Sequence, residues 1–357
     1  MARTSPVDAF TESGTTSDAD LLLTQAHRFA DIIPDLPAAL RSLLVQIPRG
    51  RVATYGGLAD ALGSRSAARW IGEYLLDHPH DDGCCCHRVV RSNGDLGLYI
   101  SGHNEQKQSA LMRESVLVRE GRVDLDAFRF DNFETDRPLT RLIEWQERLA
   151  AAAKLTPFGG TPRYVAGVDV SYGRSETATA AYCVIEAATG ECVWSVVLKR
   201  SAPFPYLSGF LAFRELPVLL EVIHLAESQG HTPELLFVDG NGILHPRGAG
   251  IATCLGVLTG LRTIGVSKKL LCGRLQSESA HLDGRCEITH QNRPVGMAVR
   301  GSARFRHVYV SPGHLINVRD AARMTEKVCY GHRLPEPLFH ADALSRVAAR
   351  SGSCRDD

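Results

Sequence analysis

The chain has 357 residues, 44% of them apolar and 22% charged, a globular composition that excludes a largely disordered or fibrous protein. Its 40 Lys and Arg balance 40 Asp and Glu, so no global positive field advertises a nucleic-acid partner, although a local basic surface can be offset by acid elsewhere. No apolar run is long enough to span a bilayer and nothing at the N-terminus resembles a secretion signal, so a monomeric, cytoplasmic protein with no membrane partner is expected.

Residues 1–36 open with a Ser-, Thr- and Asp-rich stretch and are expected to form a partly disordered tail. Residues 54–63 read as a short helix stopped by Gly63, and Ser64 or Ser66 can cap a second helix with Ala67, Trp70, Ile71, Tyr74 and Leu75 on its apolar face. Two helices joined by a Gly-containing turn fit a plain helical hairpin or a helix-turn-helix, and the pattern alone favours the hairpin. The charged, weakly apolar residues 123–136 are the expected linker between a first domain at 37–122 and a second at 137–357.

Beyond the linker, Leu139, Leu142, Ile143, Gln146 and Leu149 form a helical stripe. Strand grammar follows at 164–172, 177–186 and 192–199, then a helix over about 210–229 and a short, fully apolar strand at 235–239. Three antiparallel strands, a helix and a parallel strand is the opening order of a ribonuclease-H-like α/β domain. Asp169 lies inside an apolar strand, where an acid needs a partner, and Asp239 ends the buried strand. With Glu215 from the intervening helix they can converge on one hard cation such as Mg2+. Ion pairing with Lys or Arg would explain any one of these acids; three in this order favour the metal.

The segments Val165-Ala-Gly-Val-Asp169, Pro205-Tyr206, Gly209-Phe-Leu-Ala-Phe-Arg-Glu215, Val238-Asp239-Gly-Asn-Gly-Ile-Leu-His245-Pro-Arg247, Ile264-Gly-Val-Ser-Lys268, Ser311-Pro-Gly-His314 and Arg333-Leu-Pro-Glu336-Pro resemble endonuclease V. The resemblance implies a Mg2+-dependent nuclease, with Mn2+ a substitute, that cuts one nucleotide 3′ to deaminated bases, chiefly hypoxanthine. It implies Asp169, Glu215 and Asp239 as metal ligands, Lys268 and His314 at the scissile phosphate and its water, and Tyr206 in a strand-parting wedge. His245 is expected behind the metal site. Where the family's wedge reads Pro-Tyr-x-Pro, this chain has Ser208 at the last position.

Of ten cysteines, Cys84, Cys85 and Cys86 are contiguous and the rest scattered, without the paired C-x-x-C spacing of a zinc site. Consecutive residues point in different directions, which argues against three adjacent thiols sharing a soft metal. Cys86-His87 sets an imidazole beside a thiol; by itself the pair fits a buried, inert Cys as well as an activated nucleophile. The surrounding order, Ile47-Pro-Arg-Gly-Arg-Val-Ala-Thr-Tyr55, Ala67-Ala-Arg69-Trp-Ile-Gly72, Cys86-His87-Arg88-Val-Val90, Gly94, Gly97 and Tyr99, resembles the DNA-binding domain of O6-alkylguanine-DNA alkyltransferases. That resemblance implies a helix-turn-helix, winged-helix-like domain that flips an O6-alkylated guanine from double-stranded DNA and moves its alkyl group to Cys86. His87 would act as base through water, with Glu114 orienting it. Arg69 would fill the vacated stack, Tyr55 and Tyr99 would line the base site, and Arg88 would contact DNA. Eleven basic against nine acidic residues over 37–122 fit a modest electrostatic term.

Cys85 stands where the family has Pro, His78 where it has Asn, and Trp70 where it has a small residue. The family's separate N-terminal domain is not expected, with about 36 residues ahead of the match. Two alternatives stay open: a first half that senses alkyl lesions without repairing them, and a nuclease half that acts on inosine in RNA or on single-stranded DNA.

Overall fold

The structure is a computed structural model that describes residues 29, 31–80, 83–100, 102, 104–173, 177–276, 285–302 and 304–351. Of the expected tail at 1–36, residues 1–28 and 30 lie outside the described residues. Contacts divide the chain into two units, one of Ile33–Ile143 with Phe204–Phe210, the other carrying Glu144–Pro203 and the residues from Leu211 onward. Phe29, expected in the tail, belongs to the second unit; its fully buried ring lies 5.0 Å from Trp145 and 5.7 Å from Phe213.

The first unit opens with α1 (Leu36–Leu44), capped by Asp35, whose carboxylate accepts from the Ala38 N–H at 2.8 Å. Strand β1 (Ala53–Thr54) runs parallel to β2 (Val89–Val90). Thr54 caps α2 (Tyr55–Leu62) through the Gly57 N–H at 2.9 Å, and Gly63 ends it at φ 101°. A side chain at Gly63 would strike Thr140 at 2.5 Å, so this position needs glycine twice over. Ser64 makes no side-chain cap; a 3-10 turn, Arg65–Ala67, leads instead into α3 (Ala68–Asp77), which buries Trp70, Ile71 and Leu75. Helix α4 (Asn104–Arg113) and the hairpin β3 (Val118–Arg119) and β4 (Arg122–Val123) follow.

The stretch expected as a linker is packed into this unit. Asp124 caps a short helix, α5 (Leu125–Phe128), and Leu125 and Phe128 lie against a core of Val52, Val90, Leu96, Leu111, Val116 and Val123. Val52 donates to the Phe128 carbonyl at 2.9 Å and accepts from Phe130 at 2.8 Å. Helix α6 (Pro138–Ala152) carries the expected stripe, burying Leu139, Leu142, Gln146 and Leu149, with Trp145 added.

The second unit is built on a nine-stranded sheet: β5 (Tyr164–Tyr172), β6 (Thr177–Glu186), β7 (Cys192–Ser201), β8 (Leu236–Asp239), β9 (Thr263–Ser267), β10 (Arg274–Leu275), β11 (Cys286–His290), β12 (Arg293–Val299) and β13 (Val308–His314). Their order is β10-β11-β12-β13-β9-β8-β5-β6-β7. As expected, β5, β6 and β7 are antiparallel and β8 joins β5 in parallel; β9 continues in parallel and β13 reverses. Helix α7 (Leu211–Ser228) packs on β6 and β7, α8 (Ile251–Thr259) on β13 and β9, and α9 (Val318–Lys327) on β12 and β13. Helix α10 (Glu336–Ser351) lies on β5 and β6, where a Cβ at Gly167 would meet the Pro337 carbonyl at 2.2 Å. Among the described residues no helix is long and apolar enough to cross a membrane.

Candidate active sites: an acidic centre and a buried thiol

In the second unit the parallel register Val168↔Val238 sets the next residues, Asp169 and Asp239, side by side on neighbouring strands. Helix α10 brings Asp342 to them, and one carboxylate oxygen from each of the three lies within 4.8 Å of the others. Glu215, expected as the third member, is buried beside this trio and accepts from the Tyr172 hydroxyl at 3.3 Å. The Arg214 guanidinium sits 4.3 Å over the Tyr172 ring. Ser345, one turn beyond Asp342 on α10, donates to Asp169.

These acids repel one another in a desolvated place. Burial, then the Asp169 charge, pushes the Asp239 carboxyl up to about 7. Burial, then Asp169 and Asp239, holds Glu215 well above the ordinary carboxylate range. Lys268 gives partial compensation, 2.8 Å from Asp342 and 3.5 Å from Asp239. Burial alone would lower its ammonium, but Asp239 and Asp342 outweigh it and hold the group above its usual value. Arg333 braces the Lys268 backbone, donating to its carbonyl at 2.8 Å and to that of His307 at 2.9 Å.

His314 does not join this centre. It pairs with Thr263 at the start of β9, whereas Asp239 pairs with Val266 three residues on, roughly 10 Å along the strand. Its Nδ1 accepts from the Lys154 N–H at 3.2 Å, and burial, then Lys154, lowers its pKa. His245 is buried, its Nδ1 accepting from the Arg247 N–H at 3.2 Å. Tyr206 is 65% exposed, between buried Phe204 and Leu207, on the Phe204–Phe210 segment that groups with the first unit. Asp342 is not singled out by the sequence. Its spacing of three from Ser345 puts both on one helical face, the available signal, but an acid inside a helix is too common to single out.

In the first unit Cys86 opens a 3-10 turn, Cys86–Arg88, and is 3% exposed. Its Sγ lies 3.6 Å from His80 Nδ1, while Cys84 Sγ lies 3.0 Å from His78 Nε2. A hydrogen bond with Cys84, then burial, raises the Cys86 pKa. Tyr99 is pushed up to about 12 by burial and then by Cys86. Lys107, unanticipated from sequence, is fully buried, donates to the Leu96 carbonyl and is pulled down to about 8 by burial. Tyr55, the first residue of α2, is likewise raised by burial.

Glu114 accepts from His87 Nε2 at 3.1 Å, from Arg88 at 2.6 and 2.9 Å, and from the Gly50 N–H at 3.3 Å. Against the upward push of burial, these donors hold its carboxyl at about 2. Arg88 is therefore an internal brace: its side chain is 13% exposed and also donates to the Ile47 carbonyl at 2.8 Å, so it does not present itself to DNA. Arg69, on the first turn of α3, is 87% exposed and paired only with Glu73 at 2.8 Å.

The endonuclease V family model matches residues 147–343, and the model for the 6-O-methylguanine DNA methyltransferase DNA-binding domain matches 37–116. A bifunctional methyltransferase/endonuclease of Picrophilus torridus is 34% identical over 85% of this chain and 93% of its own. One from Thermoplasma volcanium is 31% identical over 82% of this chain and 84% of its own. The catalytic domain of human endonuclease V superposes at TM-score 0.56 with 34% identity, covering 61% of this chain and 98% of that one. Ciona intestinalis endonuclease V in complex with a 24-mer DNA containing an inosine gives 0.55 at 27% identity, covering 61% of this chain and all of that one. Fold, acidic centre and matches together make a DNA-repair endonuclease that carries an alkyltransferase-type domain. The chain belongs to the endonuclease V family, in the bifunctional arrangement of the Picrophilus torridus and Thermoplasma volcanium relatives.

Proposed function

We propose that the second unit nicks DNA on the 3′ side of deaminated bases, chiefly hypoxanthine, and that the Asp169–Asp239–Asp342 trio carries that activity. The observation behind this reading is three carboxylates converging where burial raises Asp239, with Lys268 against Asp239 and Asp342, and Arg346 2.9 Å from Asp342, as the countercharges. An all-oxygen, strongly anionic set suits a hard divalent cation, and Mg2+ is the one proposed, with Mn2+ able to replace it. Bound there, Mg2+ would polarise a phosphoryl oxygen and lower the pKa of its water. Ser345 and Ser171 hold Asp169 in place, Glu215 lies ready beside the trio, and Lys268 offers a cation to the scissile phosphate. The inosine in the DNA bound by the Ciona relative supports the substrate class. Exposed Tyr206 is proposed to stack where the lesion base leaves.

For the first unit we infer recognition of O6-alkylated guanine in duplex DNA by a helix-turn-helix, with exposed Arg69 filling the stack. Transfer would form a bond from Cys86 Sγ to the alkyl carbon and break the carbon–O6 bond, guanine leaving with a proton. Glu114 fixes the ring of His87 for this. A second reading, a lesion sensor that does not transfer, is favoured by the contacts of Cys86: its thiol is buried and faces His80. Intact-mass measurement after incubation with O6-methylguanine duplex separates the two. A gain of one methyl on the Cys86 peptide establishes transfer; binding with no gain establishes the sensor. For the nuclease, hypoxanthine DNA should be nicked and inosine RNA cut more slowly; the reverse order would overturn the DNA assignment.

A further inference from the structure

His78, His80, Cys84 and Cys86 each offer one ligand atom, and all four atoms lie within 4.8 Å of one another. We propose that this cluster is a zinc site that clamps the loop carrying Cys86. Helix α3 ends at Asp77, and His78 is extended at ψ 155°, the conformation that the following Pro79 imposes. Residues two apart in an extended segment point the same way, which sends His78 and His80 to one side. The two thiols come from the alternate positions 84 and 86, so the sequence signal is H-x-H-x3-C-x-C rather than C-x-x-C.

One of the two sulfur–nitrogen distances has the length of a tetrahedral edge, and the other is shorter and would lengthen on binding. Zinc at about 2.3 Å from sulfur and about 2.05 Å from nitrogen leaves a sulfur–nitrogen edge of about 3.6 Å. Cys86 Sγ to His80 Nδ1 is 3.6 Å, and Cys84 Sγ to His78 Nε2 is 3.0 Å. His78 is also set up as a ligand. Its Nδ1 lies 3.1 Å from the Leu75 carbonyl, which can only accept, so the proton is on Nδ1 and the Nε2 lone pair faces the cluster. A backbone carbonyl on the far ring nitrogen is the usual outer partner of a zinc-bound histidine. Two sulfurs and two nitrogens in a tetrahedron select Zn2+ over Mg2+, so this site and the acidic centre do not compete for one ion.

Four protein ligands leave no open position, so the bound ion holds Cys86 and shields its thiol. A shielded Cys86 would be a poor alkyl acceptor, so the zinc-loaded protein should transfer more slowly than the metal-free one. Metal binding itself is read without DNA, so its test does not depend on the outcome for transfer. Co2+ added to the full chain, with Mg2+ in excess to occupy the acidic centre, should give a thiolate-to-cobalt charge-transfer band at one equivalent, displaced by Zn2+. The band should disappear in His80→Ala and in Cys84→Ser. In Zn2+ titrations each substitution should weaken binding by at least the ~10–100-fold that even an outer partner is worth. On the wild-type protein, Zn2+ should slow N-ethylmaleimide labelling of the Cys84–Cys86 peptide. No band, a band that survives both substitutions, or labelling unaffected by Zn2+ would each overturn the site.

Discussion

At the scale of single residues, Asp342 and His314 exchange the weight that sequence alone assigns them. Asp342 touches Lys268 and shares a site with Asp169 and Asp239, while His314 sits at the other end of its strand pair. Asp342→Asn should therefore lower nicking of hypoxanthine DNA by about 100-fold or more, beyond the cost of an outer hydrogen-bond partner of a metal site. His314→Asn should stay within a few-fold of wild type once its stability is matched; single-turnover nicking rates check both. Glu114 gives a pH test. Its native carboxyl is depressed to about 2, so on acidification the unfolded chain takes up the proton first and stability falls. The stability it contributes is complete above the ordinary carboxylate pKa and is lost as pH drops toward 2. Thermal unfolding of wild type and Glu114→Gln should accordingly differ most near pH 6 and converge below pH 4; a gap that widens in acid would contradict the pairing.

At the scale of elements, Gly167 decides where α10 lies. The helix start at Pro337 presses on β5 so closely that any side chain there collides with backbone, and the same approach delivers Asp342 and Ser345 to Asp169. Gly167→Ala should cost about 1–3 kcal/mol by overpacking and slow nicking as well. Unchanged unfolding and unchanged nicking would show that α10 tolerates displacement. The strands β5, β6, β7 and β8 are legible because each carries an apolar run bounded by turns, long in the first three and short in β8, and α2 because Thr54 and Gly63 mark its ends. Strands β10 and β11 are not, since their apolar residues are few and a register shift between Ile288 and Thr289 breaks the alternation, and in β12 and β13 the run is interrupted by Pro294 and Gly296 and by Pro312 and Gly313. The residues at 123–136 looked like a linker because their charges are exposed, yet Val123, Leu125 and Phe128 suffice to hold them on a core. Asp169 and Asp239 could be read from an acid in an apolar strand. Asp342 and the His78–His80 pair could not, because they are brought in by a helix docking and a loop closing, which local pattern does not encode.

At the scale of the molecule, each unit carries its own candidate centre: carboxylates and a lysine in one, thiols and imidazoles in the other. Linking two DNA-directed domains raises the local concentration of each near DNA held by the other. The chemistries remain separate, so Cys86→Ser should leave nicking of hypoxanthine DNA at the wild-type rate while abolishing any methyl gain from O6-methylguanine. Parallel nicking and mass measurements on that one variant check this. The most direct test of the nuclease centre is single-turnover nicking of a duplex holding one hypoxanthine, with Mg2+, by wild-type protein and by folded Asp239→Asn. The wild type should cut 3′ to the lesion and the variant should lose the cut; full-rate nicking by Asp239→Asn would contradict the assignment of the acidic trio.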